Sequence, residues 1–383
     1  MNALDKDEIV ALHEEHTGVL GMEAEMAVNN KSDLGKAYTP GVATISKAIE
    51  ADPSLKDKMT LSGKLVAVVT DGSAVLGLGD IGPAGGLPVV EGKSLLYKDL
   101  AGVNALPLAV NQVPVKDFVS TLKNLSLSFA GIHLEDIAAP RCFEIEDELK
   151  QVLDIPVYHD DQEGTAIVVL AGLINAAKVV GKELKDLKIV LNGVGASGLA
   201  TAKLLYGVGI HNLTLVDING VVKPDSTKDN RYQTAFAKQV GNDVQGTTLD
   251  DVIDGQDAFI GLSDADLLSG DQVKRMAAKP IIFALANPKP EIDPAIAHEA
   301  GAGVVATGSG QYPNQVNNIL VFPGLFKGLL QSGLKTVNMD VEKIVAEALA
   351  QTIATPTADK IVPGVFDEGV VETVTKAIIA SQK

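Results

Sequence analysis

The segment Lys188-Ile189-Val190-Leu191-Asn192-Gly193-Val194-Gly195-Ala196-Ser197-Gly198 joins an apolar, β-branched run to a complete GxGxxG pattern. The residues that follow, Ser197 to Tyr206, read as a helix, so the glycines sit in a strand–turn–helix unit rather than in isolation. Each has a use there: one allows the tight turn, one lets backbone approach a ligand, and one lets the helix pack close to the strand. Gly193, Gly195, Ala196, Ser197 and Gly198 then present backbone N–H groups and a positive helix end to a pyrophosphate. Asp217 ends the next apolar run, Leu213 to Val216, where its carboxylate can accept hydrogen bonds from ribose hydroxyls. The unit predicts a dinucleotide site that favours NAD. An unliganded turn also uses glycines, and an aspartate at a strand end also caps turns. Lys223, Lys228 and Arg231 follow closely enough to keep NADP open.

Working outward, Gly164 to Val180 reads as a buried helix closed by Gly181. Candidate strands Ala258–Ile260, Ile281–Leu285 and Gly303–Ala306 recur between helical segments, and helices Val341–Thr352 and Gly369–Ser381 finish the chain. This alternation predicts a doubly wound parallel sheet of Rossmann type. Towards the N-terminus lie a helix, Lys6–His16, a Tyr38-Thr39-Pro40-Gly41 turn and a β-branched run, Leu65–Thr70. Two more apolar runs, Phe129–Leu134 and Ile155–Tyr158, stop at acidic residues. The character changes near residue 160. We therefore expect an α/β protein with an N-terminal α/β substrate and metal domain, 1–160, and a C-terminal dinucleotide-binding domain, 161–383.

Bulk composition narrows the function classes. A chain of 383 residues with 46% apolar and 21% charged residues has ample core material for two domains. One cysteine, Cys142, excludes an internal disulfide and a zinc–thiolate cluster, and fits a reducing compartment. No cationic, apolar leader precedes the acidic residues Asp5, Asp7 and Glu8, and the apolar run Ala166–Ile174 is short for a membrane span. The expectation is a cytoplasmic protein with no membrane contact. A formal net charge of −17 argues against nucleic acid as a partner.

Two acidic pairs close strands: Glu135-Asp136 and Asp160-Asp161. Ligands of open α/β sheets gather beyond the carboxyl ends of strands, so these pairs can converge on one crevice around a hard dication, Mg²⁺ or Mn²⁺. Acidic residues after strands also serve as helix caps, as Asp161 would for the helix near Gly164. Seven glycines lie from Gly72 to Gly92, which suggests a loop that approaches a ligand closely. Lys93 then opens an apparent helix, Ser94–Ala101. A lysine at a helix start and near a dication has its charged form disfavoured, which makes a neutral amine available as a base; a solvated surface lysine is the plainer alternative.

The ordered set Tyr38-Thr39-Pro40-Gly41-Val42-Ala43, Gly77-Leu78-Gly79-Asp80-Ile81-Gly82, Glu135-Asp136 and His159-Asp160-Asp161-Gln162-Glu163-Gly164-Thr165 resembles malic enzyme of the short bacterial type. Gly308-Ser309-Gly310-Gln311-Tyr312-Pro313-Asn314-Gln315-Val316-Asn317-Asn318 extends the match over nearly the full chain. The resemblance implies Glu135, Asp136 and Asp161 as metal ligands, with Asp160 beside them, Lys93 as general base and Tyr38 as general acid. It implies that Asn287 and Asn318 contact substrate or the nicotinamide end, and that the protein is a homodimer. Longer members carry an arginine where this chain has Ala74, so another group meets the substrate carboxylate here.

The implied reaction is oxidation and decarboxylation of malate to pyruvate with reduction of NAD. Lys93 would take the hydroxyl proton as hydride leaves C2, the dication would stabilise the enolate left by CO₂, and Tyr38 would protonate C3. A relative that only decarboxylates oxaloacetate needs the metal and Tyr38 but no net redox step. A nucleotide sensor without chemistry needs only the dinucleotide unit.

Overall fold

The computed structural model describes residues 6–75, 77–241 and 244–382, which leaves Asp5 outside. Ten strands form two sheets among these residues. The first contains β1 (Leu65–Thr70), β2 (Asn104–Ala109), β3 (Gly131–Glu135) and β4 (Val157–His159), in the order β2-β1-β3-β4 and all parallel. The second contains β5 (Ile189–Asn192), β6 (Leu213–Asp217), β7 (Gly220–Val221), β8 (Ala258–Gly261), β9 (Ile281–Ala284) and β10 (Val304–Thr307). Its order is β10-β9-β8-β5-β6-β7, parallel except for β7, which forms a hairpin with β6. Every residue of β1 and β5 is buried, which is why both read as unbroken apolar runs rather than alternating ones. The α/β class and the doubly wound C-terminal sheet are as expected. β2 was not anticipated: Pro107 lowers its strand signal, and the strand tolerates proline because it lies at the sheet edge.

One expectation is corrected. The glycine-rich stretch is a loop only as far as Ile81, and a single helix runs from Gly82 to Ala101, with Pro83 in its first turn and Pro88 inside it. Lys93 therefore lies within a helix, not at its start. The glycines serve packing: a Cβ on Gly86 would lie 3.1 Å from Gly72 Cα and 3.2 Å from Thr70 Cγ2, so the helix sits tight against the end of β1.

The main apolar core runs continuously through both sheets. Helix Phe322–Ser332, far along the chain, completes the core of the first sheet. Phe322 lies 4.9 Å from the Tyr97 ring and Phe326 5.9 Å from the Tyr158 ring, centroid to centroid. A Cβ at Gly131 would come within 2.7 Å of the Phe326 ring, so glycine there lets the helix lie on β3. The central helical stretch Asp160–Val180 has 21 residues and a mean hydropathy of 1.6, longer than the apolar run read from the sequence and enough to cross a membrane on those criteria. Its surroundings decide otherwise: 72% of its most apolar window is buried inside the protein, as in a core helix.

Candidate active site

Strand ends bring the predicted carboxylates together. β3 ends in Glu135, Asp136 follows with φ of 55°, and β4 runs directly into a π-helical turn, Asp160–Gly164. A positive φ is uncommon outside glycine and marks a position held by its surroundings. Here the Asp136 N–H donates to Asp161 Oδ2 at 2.8 Å, so the turn after β4 fixes the turn after β3. One carboxylate oxygen from each of Glu135, Asp136 and Asp161 lies within 4.8 Å of the other two. His133, Glu135 and Asp160 form a second such group, but both His133 nitrogens are already engaged, with Tyr97 Oη at 2.8 Å and Glu135 Oε2 at 2.8 Å. The all-oxygen set is the one that suits Mg²⁺ or Mn²⁺.

Lys93 reaches this cluster from its helix. Its Nζ lies 2.9 Å from Glu135 Oε2, donates to Asp160 Oδ2 and is 3.5 Å from Asn318 Oδ1, with the side chain 13% exposed. Tyr158 Oη donates to the other Asp160 oxygen at 2.6 Å. Burial works to lower the Lys93 pKa, but the Asp160, Glu135 and Asp161 carboxylates outweigh it and hold it above the usual lysine range. Within the chain alone the ammonium form is favoured; the neutral amine expected from the sequence belongs to a site that also holds a dication. Burial pushes Glu135 up to about 8 against the pull of Lys93, and burial with the Glu135 charge pushes Asp161 up to about 8. Too many negative charges share too little water, which is the condition a dication relieves. Burial also takes His133 down to about 3, so it is neutral. Once Glu135 is ionised it only accepts, so His133 Nε2 carries the proton and Nδ1 accepts from Tyr97.

Several supporting groups, among them Gln162 and Glu163 of the quoted motif, were assigned no role from the sequence. Glu163 accepts from the His159 N–H at 2.8 Å and pairs with Lys150 at 2.6 Å, and Gln162 donates to Glu146 at 2.5 Å, so the π-turn is pinned from behind. Arg141 comes to the end of β1, with Nε 3.2 Å from Asp71 Oδ2, whose other oxygen accepts from the Ser73 hydroxyl. Tyr38 stands apart. It is 66% exposed, and among the described residues no hydrogen bond joins it to the cluster.

The glycine loop lies after β5, at the point where strand order reverses between β5 and β8. Gly193 has φ of 98°, and a Cβ there would meet Leu262 O at 2.6 Å. A Cβ on Gly198 would lie 1.8 Å from Gly193 O, whereas one on Gly195 would meet nothing within 4 Å. Gly193 and Gly198 are thus required by the fold, and Gly195 faces open space. Helix Ala196–Gly207 begins with no side-chain cap, leaving its first N–H groups for an anion. Asp217 closes β6 beside this loop. Asn287, after β9, approaches the other sheet: a Cβ on Gly77 would be 3.1 Å from its carbonyl oxygen, and one on Gly308 2.4 Å from its Nδ2.

Comparison with known proteins agrees with this geometry. The family model described as malic enzyme, NAD binding domain, matches residues 162–379, and the malic enzyme N-terminal domain matches 22–116. The chain is 45% identical to an NAD-dependent malic enzyme of Geobacillus stearothermophilus, over 94% of this chain and 76% of that protein. It is 45% identical to a bifunctional malic/malolactic enzyme of Bacillus subtilis, over 97% and 92% respectively. The crystal structure of an NAD-dependent malic enzyme from Thermotoga maritima superposes with a TM-score of 0.94 at 40% identity, covering 98% of this chain and 99% of that one. With the NAD-binding domain matched over residues 162–379 and relatives 45% identical over 94% and 97% of its length, the chain belongs to the malic enzyme family.

Proposed function

We propose that this chain catalyses oxidative decarboxylation of (S)-malate to pyruvate and CO₂ with reduction of NAD, dependent on Mg²⁺ or Mn²⁺. The observation that carries the reading is the meeting of three carboxylates and one lysine at the strand ends of the first sheet. Glu135, Asp136 and Asp161 would hold the cation. When bound, the cation draws electron density from the substrate oxygens and the dinucleotide accepts the hydride. Lys93 receives the C2 hydroxyl proton, and Asp160, hydrogen-bonded to it, shares that proton. Asn318, beside Lys93, and Asn287, between the two sheets, orient the substrate. Tyr38 supplies the proton to C3. NAD rather than NADP is supported by Asp217, which closes β6 beside the glycine loop.

Purified protein given malate, NAD and Mn²⁺ should form NADH and pyruvate in equal amounts and stop on chelation of the metal. Absence of turnover with both NAD and NADP would end this reading. Oxaloacetate decarboxylation without net redox draws no support from the names of the relatives.

A division into 1–160 and 161–383 is supported by the sheets, since β4 ends at His159 and β5 begins at Ile189. A homodimer is supported by the N-terminal segment. Helices Lys6–His16, Lys31–Ala37 and Gly41–Ala51 bury no residue, and Ile9, Leu12, Val28, Leu34, Val42 and Ile45 are exposed. Tyr38 lies on this segment, so in such a dimer the proposed general acid would stand near the second copy. A cytoplasmic location is supported by the single reduced cysteine, Cys142, and by the buried state of the one long apolar helix.

A further inference from the structure

The Asp217 carboxylate is not left to set its own direction. Gln233, 5% exposed on helix Arg231–Val240, donates from Nε2 both to Asp217 Oδ2 and to the Val194 carbonyl, the latter at 2.9 Å. Its Oε1 accepts the Asn230 N–H at 2.9 Å, as the return bond of a capping box. That bond settles which end of the amide is which, because the group facing a carboxylate and a carbonyl must be the donor. Val194 belongs to the glycine loop and Asp217 to the end of β6. One side chain therefore ties the pyrophosphate subsite to the ribose subsite.

We propose that Gln233 is a positioning residue for dinucleotide selection, holding Asp217 in the orientation that accepts a vicinal diol and refuses a phosphate. The inference rests on the reading of Asp217 as the ribose-binding group. A carboxylate has about four acceptor positions. Gln233 fills one on Oδ2, and the Ile218 N–H, 3.0 Å away, fills one on Oδ1. One position remains on each oxygen, which matches the 2′ and 3′ hydroxyls of NAD. A 2′-phosphate offers no donor in place of the hydroxyl and meets a fixed negative charge. No compensating cation follows at once: Ile218 is 94% exposed, and Asn219 spends its amide on Lys228 O and Asp229 Oδ1.

The test is fluorescence titration of the full chain with NADH and NADPH, with thermal unfolding followed alongside. The unsubstituted chain should bind NADH more tightly. Gln233→Met, similar in length and without donors, should weaken NADH binding about tenfold, the size expected for losing a hydrogen bond to a charged group, and weaken NADPH binding less, because the Val194 bond serves the pyrophosphate of both and only NADH uses the Asp217 bond, so the preference for NADH falls. Asn230→Ala disturbs the same helix start without touching either donor; it should lower the melting temperature and leave the NADH to NADPH ratio within about twofold. Gln233→Glu keeps the helix-start acceptor and sets a carboxylate against a carboxylate, so its loss of NADH affinity should be at least as large. An unchanged ratio in Gln233→Met, wild-type NADH affinity in Gln233→Glu, or an equal shift from Asn230→Ala would overturn the assignment. A chain that binds NADPH as tightly as NADH before any substitution would overturn the Asp217 reading itself, and the inference with it. Binding is read without malate, so failure of the proposed turnover shows separately.

Discussion

At Lys93 two opposing effects meet: burial disfavours the ammonium, and the carboxylates of Asp160, Glu135 and Asp161 favour it more strongly. A base needs the neutral amine, so Lys93 works only if positive charge at the carboxylates offsets their pull. Replacing Lys93 with Ala should lower turnover with malate by at least about a hundredfold, the range seen when a general base is lost, with NADH affinity retained. Retained turnover would return Lys93 to a structural ion pair. The glycine loop gives a sharper contrast between neighbours. Gly198→Ala forces a methyl against Gly193 O, where a Cβ would stand at 1.8 Å, so the melting temperature should fall along with NADH binding. Gly195→Ala enters open space, so folding should persist while NADH affinity alone drops. Equal effects of the two substitutions on stability would contradict the separate roles assigned to them.

Among the strands and helices, those with strong local patterns were legible from sequence, and those that depend on distant partners were not. Leu65–Thr70 and Ile189–Asn192 are buried throughout, and unbroken apolar stretches announce that burial. Helix Gly82–Ala101 hid behind its glycines and prolines, because its formation depends on packing against the end of β1 rather than on propensity. The same error displaced Lys93 to a helix start. The metal carboxylates were legible as residues at strand ends, but the Asp136 to Asp161 hydrogen bond that joins their turns belongs to no local pattern. Nor did Glu291 stand out. It is wholly buried, accepting the Ala286 N–H at 3.0 Å and the Ser263 N–H at 3.3 Å, and so joins the loops after β9 and β8. Burial pushes it from the ordinary 4.5 up to about 7, against those backbone bonds. Between those two values the folded chain holds a proton that the unfolded chain has lost, so this group makes stability fall as pH rises from about 4.5 to about 7 and stay level above. Glu291→Gln should remove up to about 1.4 kcal/mol per pH unit of that slope, measured from urea unfolding across this range. An unchanged slope would place the proton elsewhere.

Across the whole molecule, the core runs continuously through the two sheets, which predicts that they unfold together. Phe326 shows the link: it comes from the C-terminal half and packs on Tyr158 and His133 of the first sheet. Phe326→Ala should cost about 3–5 kcal/mol, with tyrosine absorbance and far-ultraviolet circular dichroism reporting the same shifted transition. Two separated transitions would show that the sheets unfold independently. The same packing sets the crevice, since the helix carrying Phe326 also places Phe322 5.0 Å below Lys93 Nζ. The mechanism in turn requires that Glu135, Asp136 and Asp161 bind one cation in that crevice. Titrating Mn²⁺ into the chain while following free metal by electron paramagnetic resonance should give one site per chain, weakened at least about tenfold in Asp161→Asn. Binding in Asp161→Asn equal to that of the unsubstituted chain would mean that the cation sits elsewhere, and the proposed chemistry would fall with it.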